Sequence, residues 1–169
     1  MKFHPRMFSK VQGFHPIKRV DSLSVPGAVL DYWQVDTRLG ARGWYVSMHP
    51  RLVFLMENQK LLLQRSAEEP PQQTAACFIP AGMEKRSGVE KTGTIRHLDV
   101  HLPHKTLRAI LGPDASLRAP IWFPSLGRLG SLVELLAQEC AAPVRERARQ
   151  PQSGQSSALP STGVESSDR

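Results

Sequence analysis

Short apolar runs, separated by glycine, proline and polar residues, dominate the chain between residues 25 and 103. Each run is shorter than a typical helix, and several alternate apolar with polar positions, which is the period of a half-buried strand. We predict strands or hairpins within residues 25–36, 44–50, 51–59, 61–66, 75–82, 87–93 and 94–103, with a glycine-rich turn at 38–43. Many short strands at such close spacing predict a mainly β sandwich or barrel.

Helical periodicity begins only after residue 103. The segment HKTLRAIL (104–111) is followed by Gly-Pro, and its apolar residues at helical spacing are Leu107, Ile110 and Leu111. A second helix is predicted over residues 125–140, with Ser125 as the candidate N-cap. Its apolar face consists of Leu126, Leu129, Leu132, Val133, Leu136 and Cys140. This face can pack on the sheet of its own chain, on a second copy of the chain, or on both.

The net charge of +7 is concentrated near the N-terminus. Residues 1–20 hold five lysines and arginines and no acid, whereas basic and acidic residues nearly balance over residues 21–142. We therefore expect residues 1–24 to form a basic, solvated arm, and the body of the protein to lack the basic face that binding of duplex DNA requires. Residues 143–169 are rich in Ser, Gln, Pro and Arg and are predicted to be disordered.

Three features bear on the location of the protein. No run of eighteen apolar residues is present, so no membrane partner is expected. The basic N-terminus is not followed by the apolar core of a signal peptide. Two cysteines, Cys77 and Cys140, are too few for a disulfide framework, and we expect both to be small buried residues. We expect a cytoplasmic protein.

The stretch CFIPAGMEK combines a strand with a tight turn. Pro80 and Gly82 suit a turn at the rim of a small barrel. Metal-binding cupin barrels carry a histidine ligand three residues after this glycine, where this chain has Lys85. A protonated lysine has no lone pair to donate, and His49 stands alone. We therefore expect no metal, no cofactor and no enzymatic activity.

The segment RHLDVHL is the clearest cluster of candidate chemistry. Along a strand, His97, Asp99 and His101 alternate onto one face. Three interpretations stay open: an ordinary polar strand face, the lining of a pocket, or a metal site. Aromatic residues on other strands can supply a ligand wall. The full set of candidate pocket residues is Trp33, Trp44, Tyr45, His97, Asp99 and His101.

Four segments together carry a family resemblance: GWYVSMHPRLVFLMENQ, CFIPAG, TIRHLDVHLP and LLAQEC. Residues 25–142 resemble the N-terminal sensor region of AraC-type bacterial transcription regulators. The resemblance implies a cupin-like β-barrel or jelly roll over residues 25–103, which binds a small-molecule effector. It also implies a helical dimerisation segment over residues 104–142, and hence a homodimer. The candidate dimer-interface residues are Leu129, Leu132 and Leu136.

The chain departs from these regulators after Ala142, where they continue into helix-turn-helix motifs and this sequence becomes RERARQPQSGQSS. We therefore expect a truncated regulator whose chain alone does not bind DNA specifically. The alternative function is a small cupin metalloenzyme that uses His97, Asp99 and His101 around a metal ion.

Overall fold

The computed structural model describes residues 3–57, 59, 61–112 and 115–142. The predicted tail, residues 143–169, lies outside this range. Half of the described residues lie in strands, and the prediction of a mainly β fold with two helices is confirmed. The strands are β1 (Met7–Pro16), β2 (Asp21–Val25), β3 (Ala28–Ser47), β4 (Arg51–Leu55), β5 (Leu61–Gln64), β6 (Gln72–Thr74), β7 (Ala76–Ile79), β8 (Glu84–Gly88), β9 (Gly93–His101) and β10 (Ile121–Phe123). The helices are α1 (His104–Leu111) and α2 (Leu129–Ala141).

Strand β3 organises the sheet. The strand order is β10-β7-β4-β9-β3-β8-β5-β6, and β1 and β2 also pair with β3. Residues 29–37 of β3 pair with β9 and residues 42–46 pair with β8, while β2 and β1 take the opposite edge. The two halves of β3 thus belong to two layers of one barrel-like sheet. Apolar side chains from both layers meet in the interior, namely Ala41, Val53, Leu55, Leu61, Leu63, Cys77, Ile79 and Val89.

The glycine-rich segment 38–43 does not reverse the chain, so the predicted turn is wrong. Strand β3 continues through it, and Gly40 adopts a left-handed conformation with φ of 76°. The register of the neighbouring strand β1 shifts between Gln12 and Phe14. A Cβ atom on Gly13 would lie 2.9 Å from the Cβ of Ala41, so the close approach of the two strands requires glycine. The glycines permit a bulge and a bend, which carry β3 from one layer to the other.

The predicted N-terminal arm is also corrected, because the sheet begins at Met7 rather than at residue 25. Strand β1 pairs with β3 from Met7↔Ser47 to Pro16↔Val35. The charges of this segment obscured its strand character. Met7, Ser9 and Val11 line the cavity at its edge, where Ser9 and Val11 stay exposed, whereas Lys10 lies on the other side of the strand.

Helix α2 packs against the outer side of the sheet. Its buried residues Val133, Ala137 and Cys140 contact a cluster that contains Leu30, Tyr32 and Leu98, and Leu136 packs against the same cluster. The exposed side carries Leu129, Leu132 and Leu135, which are 51%, 52% and 59% exposed. The candidate interface residues are therefore divided, since Leu136 packs on its own barrel while Leu129 and Leu132 face outward.

Helix α2 begins later than the sequence predicts. The helix starts at Leu129, and within the described residues its N-cap, Arg128, makes no capping hydrogen bond through its side chain. Gly127 has a φ of 52°, which is incompatible with a continuous right-handed helix from Ser125. Ser125 therefore lies outside the helix, in the segment that precedes the turn at residues 127–128.

Helix α1 and the segment after it pack beside the cluster that α2 covers, since Ala28 and Val100 contact both clusters. Leu107 is the buried residue of α1 and packs with Phe78, Leu102 and Leu117, whereas Ile110 is exposed. Strand β10, in the segment between the two helices, pairs with β7. Within the described part of the chain, neither helix is both long and apolar enough to span a bilayer.

Candidate ligand-binding cavity

A cavity of about 240 Å³ lies between the two layers of the barrel. Strands β1, β3, β4, β5, β8 and β9 all contribute to its lining. The apolar part of the wall consists of Met7, Val11, Phe14, Pro16, Trp33, Val35, Val53, Leu61 and Ile95. The polar groups are Ser9, Tyr45, Arg51, Lys85, Ser87, His97 and Asp99. An apolar enclosure with a small set of polar groups is the usual composition of a site for a small organic ligand.

Arg51 and Asp99 form a buried ion pair inside the barrel. The Arg51 guanidinium donates to Oδ2 of Asp99 at 3.1 Å, and the two side chains are 3% and 4% exposed. Burial by itself raises the pKa of Asp99, but the positive charge of Arg51 and the neighbouring His97, His101 and Lys85 outweigh it and leave this pKa below its ordinary value. Asp99 is therefore an anion that Arg51 already neutralises.

Lys85 enters the same interior from β8. Along this strand Lys85 and Ser87 point inward, whereas Glu84 and Arg86 point outward and pair with each other. The ammonium of Lys85 lies 5.1 Å from the centroid of the Tyr45 ring. Burial, followed by the positive charge of Arg51, lowers the pKa of Lys85 to about 8. At neutral pH Lys85 is thus a buried cation, and its charge makes an unfavourable contribution to the free energy of folding.

His97 forms part of the cavity wall. Its ring stacks on Trp33 with a centroid distance of 6.2 Å and an interplanar angle of 8°. Burial is the main cause that lowers the pKa of His97. The negative charge of Asp99 raises this pKa, whereas the positive charges of Lys85 and Arg51 lower it. The imidazole is therefore neutral at pH 7. Its Nε2 is 3.9 Å from Oδ1 of Asp99, which is too long for a hydrogen bond.

Two of the candidate pocket residues lie elsewhere. His101 is buried at 2% exposure, and its Nε2 is 3.3 Å from Oδ2 of Asp31, but it does not line the cavity. Trp44 lies on the other side of β3, beside Arg42 and Arg86. The reason is strand alternation, since Trp44 and Tyr45 are adjacent and cannot both face the interior. The other four candidates, Trp33, Tyr45, His97 and Asp99, line the cavity together.

Several buried polar atoms of the cavity lack a hydrogen-bond partner among the described residues. They are Nε of Arg51, Oδ1 of Asp99 and Nδ1 of His97. A buried polar atom without a partner is costly unless water or a ligand satisfies it. These three atoms are covered by protein, so they are unsatisfied polar groups beside the cavity and not open contact points within it.

The arrangement does not suit a divalent metal ion. Within the described residues, no three histidine, cysteine, aspartate or glutamate side chains converge as ligands. Asp99 is paired with Arg51, and Lys85 adds a second positive charge to the same space. A metal ion at this point would be repelled by the excess positive charge of Lys85, and the carboxylate of Asp99 is already paired.

Arg51 and Lys85 are the functional residues that sequence reasoning missed as pocket groups. The sequence analysis considered Lys85 only as the residue that replaces a metal ligand. A metal ligand of a barrel must point into its interior, so the same position also indicates that the Lys85 side chain points inward. Arg51 shares its strand face with the buried Val53 and Leu55, so period-two alternation in RLVFL placed it in the interior. In both cases the expectation that charged side chains are exposed was the stronger signal.

No family model matches the chain, and no curated protein sequence is significantly similar to it. Solved structures of cupin domains are similar to part of it. A cupin domain from Bordetella pertussis is 16% identical with a TM-score of 0.38 and covers 59% of this chain and 96% of its own. The cupin domain of Cnp3 from Schizosaccharomyces pombe is 14% identical with a TM-score of 0.40, over 60% of this chain and 68% of its own. A structure titled as an ethanolamine utilization protein from Salmonella typhimurium is 18% identical with a TM-score of 0.40, over 50% of this chain and 68% of its own.

Proposed function

We propose that this chain is a non-catalytic sensor domain, of the kind found at the N-terminus of AraC-type transcription regulators, which binds a small-molecule effector inside its barrel. The observation that carries the proposal is the cavity itself, enclosed by both layers of the sheet and polar at a few converging side chains. The sequence resemblance supplies the regulatory context, and the expected location is the cytoplasm.

The absence of a plausible catalytic set within the described residues favours sensing over catalysis. Asp99 is occupied by Arg51, and His97 is not within hydrogen-bond distance of it, so the pair does not form a general base with an oriented partner. The alternative, a metalloenzyme that uses His97, Asp99 and His101, requires three ligands to converge. His101 is directed to Asp31 instead.

The proposed output of the domain is self-association through α2. One side of this helix packs on the sheet through Val133 and Ala137, while Leu129 and Leu132 are exposed on the other side. A second copy that covers these leucines would remove apolar surface from water, which favours dimerisation. The chain alone is proposed to have no specific affinity for DNA.

The test is a thermal-shift screen of small metabolites with a variant that fills the cavity. Ser9 lines the cavity from β1, so Ser9→Trp is expected to occupy the ligand volume. Gln12 lies on the opposite side of the same strand, and Gln12→Trp is the matched control. A compound that raises the melting temperature of the native chain and of Gln12→Trp, but not of Ser9→Trp, supports the proposal. Equal shifts in both variants would place the binding site elsewhere and overturn it.

A further inference from the structure

The charges inside the cavity do not balance. Of the residues that line it, Arg51 and Lys85 are basic and Asp99 is the one carboxylate. Arg51 neutralises Asp99 at 3.1 Å. Lys85 is 4% exposed and takes part in no ion pair within the described part of the chain. The cavity therefore has one buried positive charge in excess, and a buried charge without a counterion is strongly unfavourable.

We propose that the cavity binds a small organic carboxylate, whose carboxyl group contacts Lys85 and Arg51 and whose apolar body lies between the two layers. This inference rests on the proposed function, because it names the chemical class of the ligand for the same cavity. The carboxylate supplies the missing negative charge, and its two oxygens accept hydrogen bonds from the ammonium and the guanidinium.

The position of Arg51 agrees with this class of ligand. Its guanidinium is fixed by the hydrogen bond to Oδ2 of Asp99 and contacts the sulfur of Met7. A guanidinium that is already held in place loses little conformational freedom when it binds a carboxylate oxygen. Lys85 supplies a second donor, and Tyr45 and Ser87 lie beside it on the cavity wall.

Other ligand classes fit less well. An amine would meet Lys85 as a like charge in a low-dielectric interior. A sugar requires many hydrogen-bond partners, whereas most of this wall is apolar and includes Trp33, Val35, Val53 and Ile95. The cavity, at about 240 Å³, is just below the usual range for ligand sites, roughly 300–1,000 Å³, and restricts the body of the ligand to a small ring or short chain.

The test compares matched acids, amides and amines by isothermal titration calorimetry at pH 7. The probes are benzoate with benzamide and benzylamine, and phenylacetate with phenylacetamide and phenethylamine. We expect at least one acid to bind about tenfold or more tightly than its amide, because a charge-assisted contact replaces a neutral one. The amines are expected to show no measurable binding.

Two variants identify the origin of this preference. Lys85→Met is expected to reduce the preference for acid over amide to within about twofold, and Lys85→Gln provides a second, polar replacement. Arg86 is the neighbouring residue on β8 and faces outward, so Arg86→Met removes a charge of the same sign without touching the cavity. Circular dichroism of each variant establishes that it is folded.

The outcomes separate the inference from the proposed function. An amide or amine that binds as tightly as its acid, and is blocked by Ser9→Trp, overturns the carboxylate assignment and leaves the cavity as a ligand site. An unchanged acid preference in Lys85→Met also overturns the assignment. If no probe of either set binds the native chain, the carboxylate assignment fails, while the broader thermal-shift screen still decides whether the cavity binds any ligand.

Discussion

Replacement of Lys85 by methionine should stabilise the empty protein. The side chain is 4% exposed, and among the described residues no carboxylate forms an ion pair with it. Methionine has a similar length, no charge and enough flexibility to fill the same space. The substitution removes the cost of a buried ammonium and sacrifices its contact with the Tyr45 ring, an interaction worth about 0.5–2 kcal/mol.

The magnitude follows from the pKa of Lys85. A fall from the ordinary value of 10.5 to about 8, at about 1.4 kcal/mol for each pH unit, means that the protonated side chain opposes folding by about 3 kcal/mol. This cost exceeds the contact with Tyr45. Between pH 8 and 10.5 the unfolded chain binds more protons at this residue than the folded one, so the stability of the native chain rises with pH there. Below pH 8 both states are protonated and the cost is fully present.

Urea denaturation of both proteins at pH 7 and pH 9.5 measures the difference. We expect Lys85→Met to be more stable by about 1–3 kcal/mol at pH 7, and this advantage to shrink by about 2 kcal/mol at pH 9.5. Tyr45 and Cys77, whose pKa values burial raises, also titrate at high pH, and Arg51, His97 and Asp99 face the same space. These groups are present in both proteins, and the charge of Lys85 acts on the pKa values of Cys77, His97 and Asp99, so the difference between the two curves reports Lys85 together with its effect on these neighbours. Arg86→Met should show no such pH dependence.

A native chain that is more stable than Lys85→Met at both pH values, by a constant amount, would refute this reasoning. It would mean that Lys85 is neutral or well compensated when folded.

Three further expectations concern metal, self-association and DNA. Protein purified without chelators should contain no stoichiometric transition metal by elemental analysis; about one ion per chain that disappears in His97→Ala would contradict this. Sedimentation at roughly tens of micromolar protein should show a dimer. Leu132→Asp should convert this dimer to a monomer, because an unpaired charge in an apolar interface costs several kcal/mol, whereas Ile110→Asp should leave it intact. A monomeric native chain would count against dimerisation through α2. DNA binding should be weak, insensitive to sequence and lost near about 0.15 M salt; tight binding to one duplex in excess competitor would be the opposite result.

The sequence predicts the strands of this fold well where apolar residues alternate. RLVFL, LLLQ and TIRHLDVH all form the strands expected of them, and His97 and Asp99 reach the cavity as their alternation indicates. Prediction failed where charge or glycine outweighed alternation, as in the N-terminal strand β1 and the bend of β3.

Part of the site depends on tertiary structure that the sequence does not contain. The excess charge of the cavity exists only because Arg51 of β4, Lys85 of β8 and Asp99 of β9 meet across the barrel. Their positions in the sequence are far apart, and although alternation indicates which of them point inward, it does not show that the three meet. The separation of Trp44 from Tyr45, in contrast, follows from local strand geometry and was available from the sequence.

Strand β1 has a practical consequence for anyone who shortens this protein. The first twenty residues look dispensable because they are basic and polar, yet a chain that began at Asp21 would lose the strand that pairs with β3 from Val35 to Ser47. The exposed edge of β3 would then offer unpaired backbone groups to other molecules, and the apolar cavity would open to water. Such a shortened protein is expected to aggregate, and its failure to bind ligands would say nothing about the intact domain.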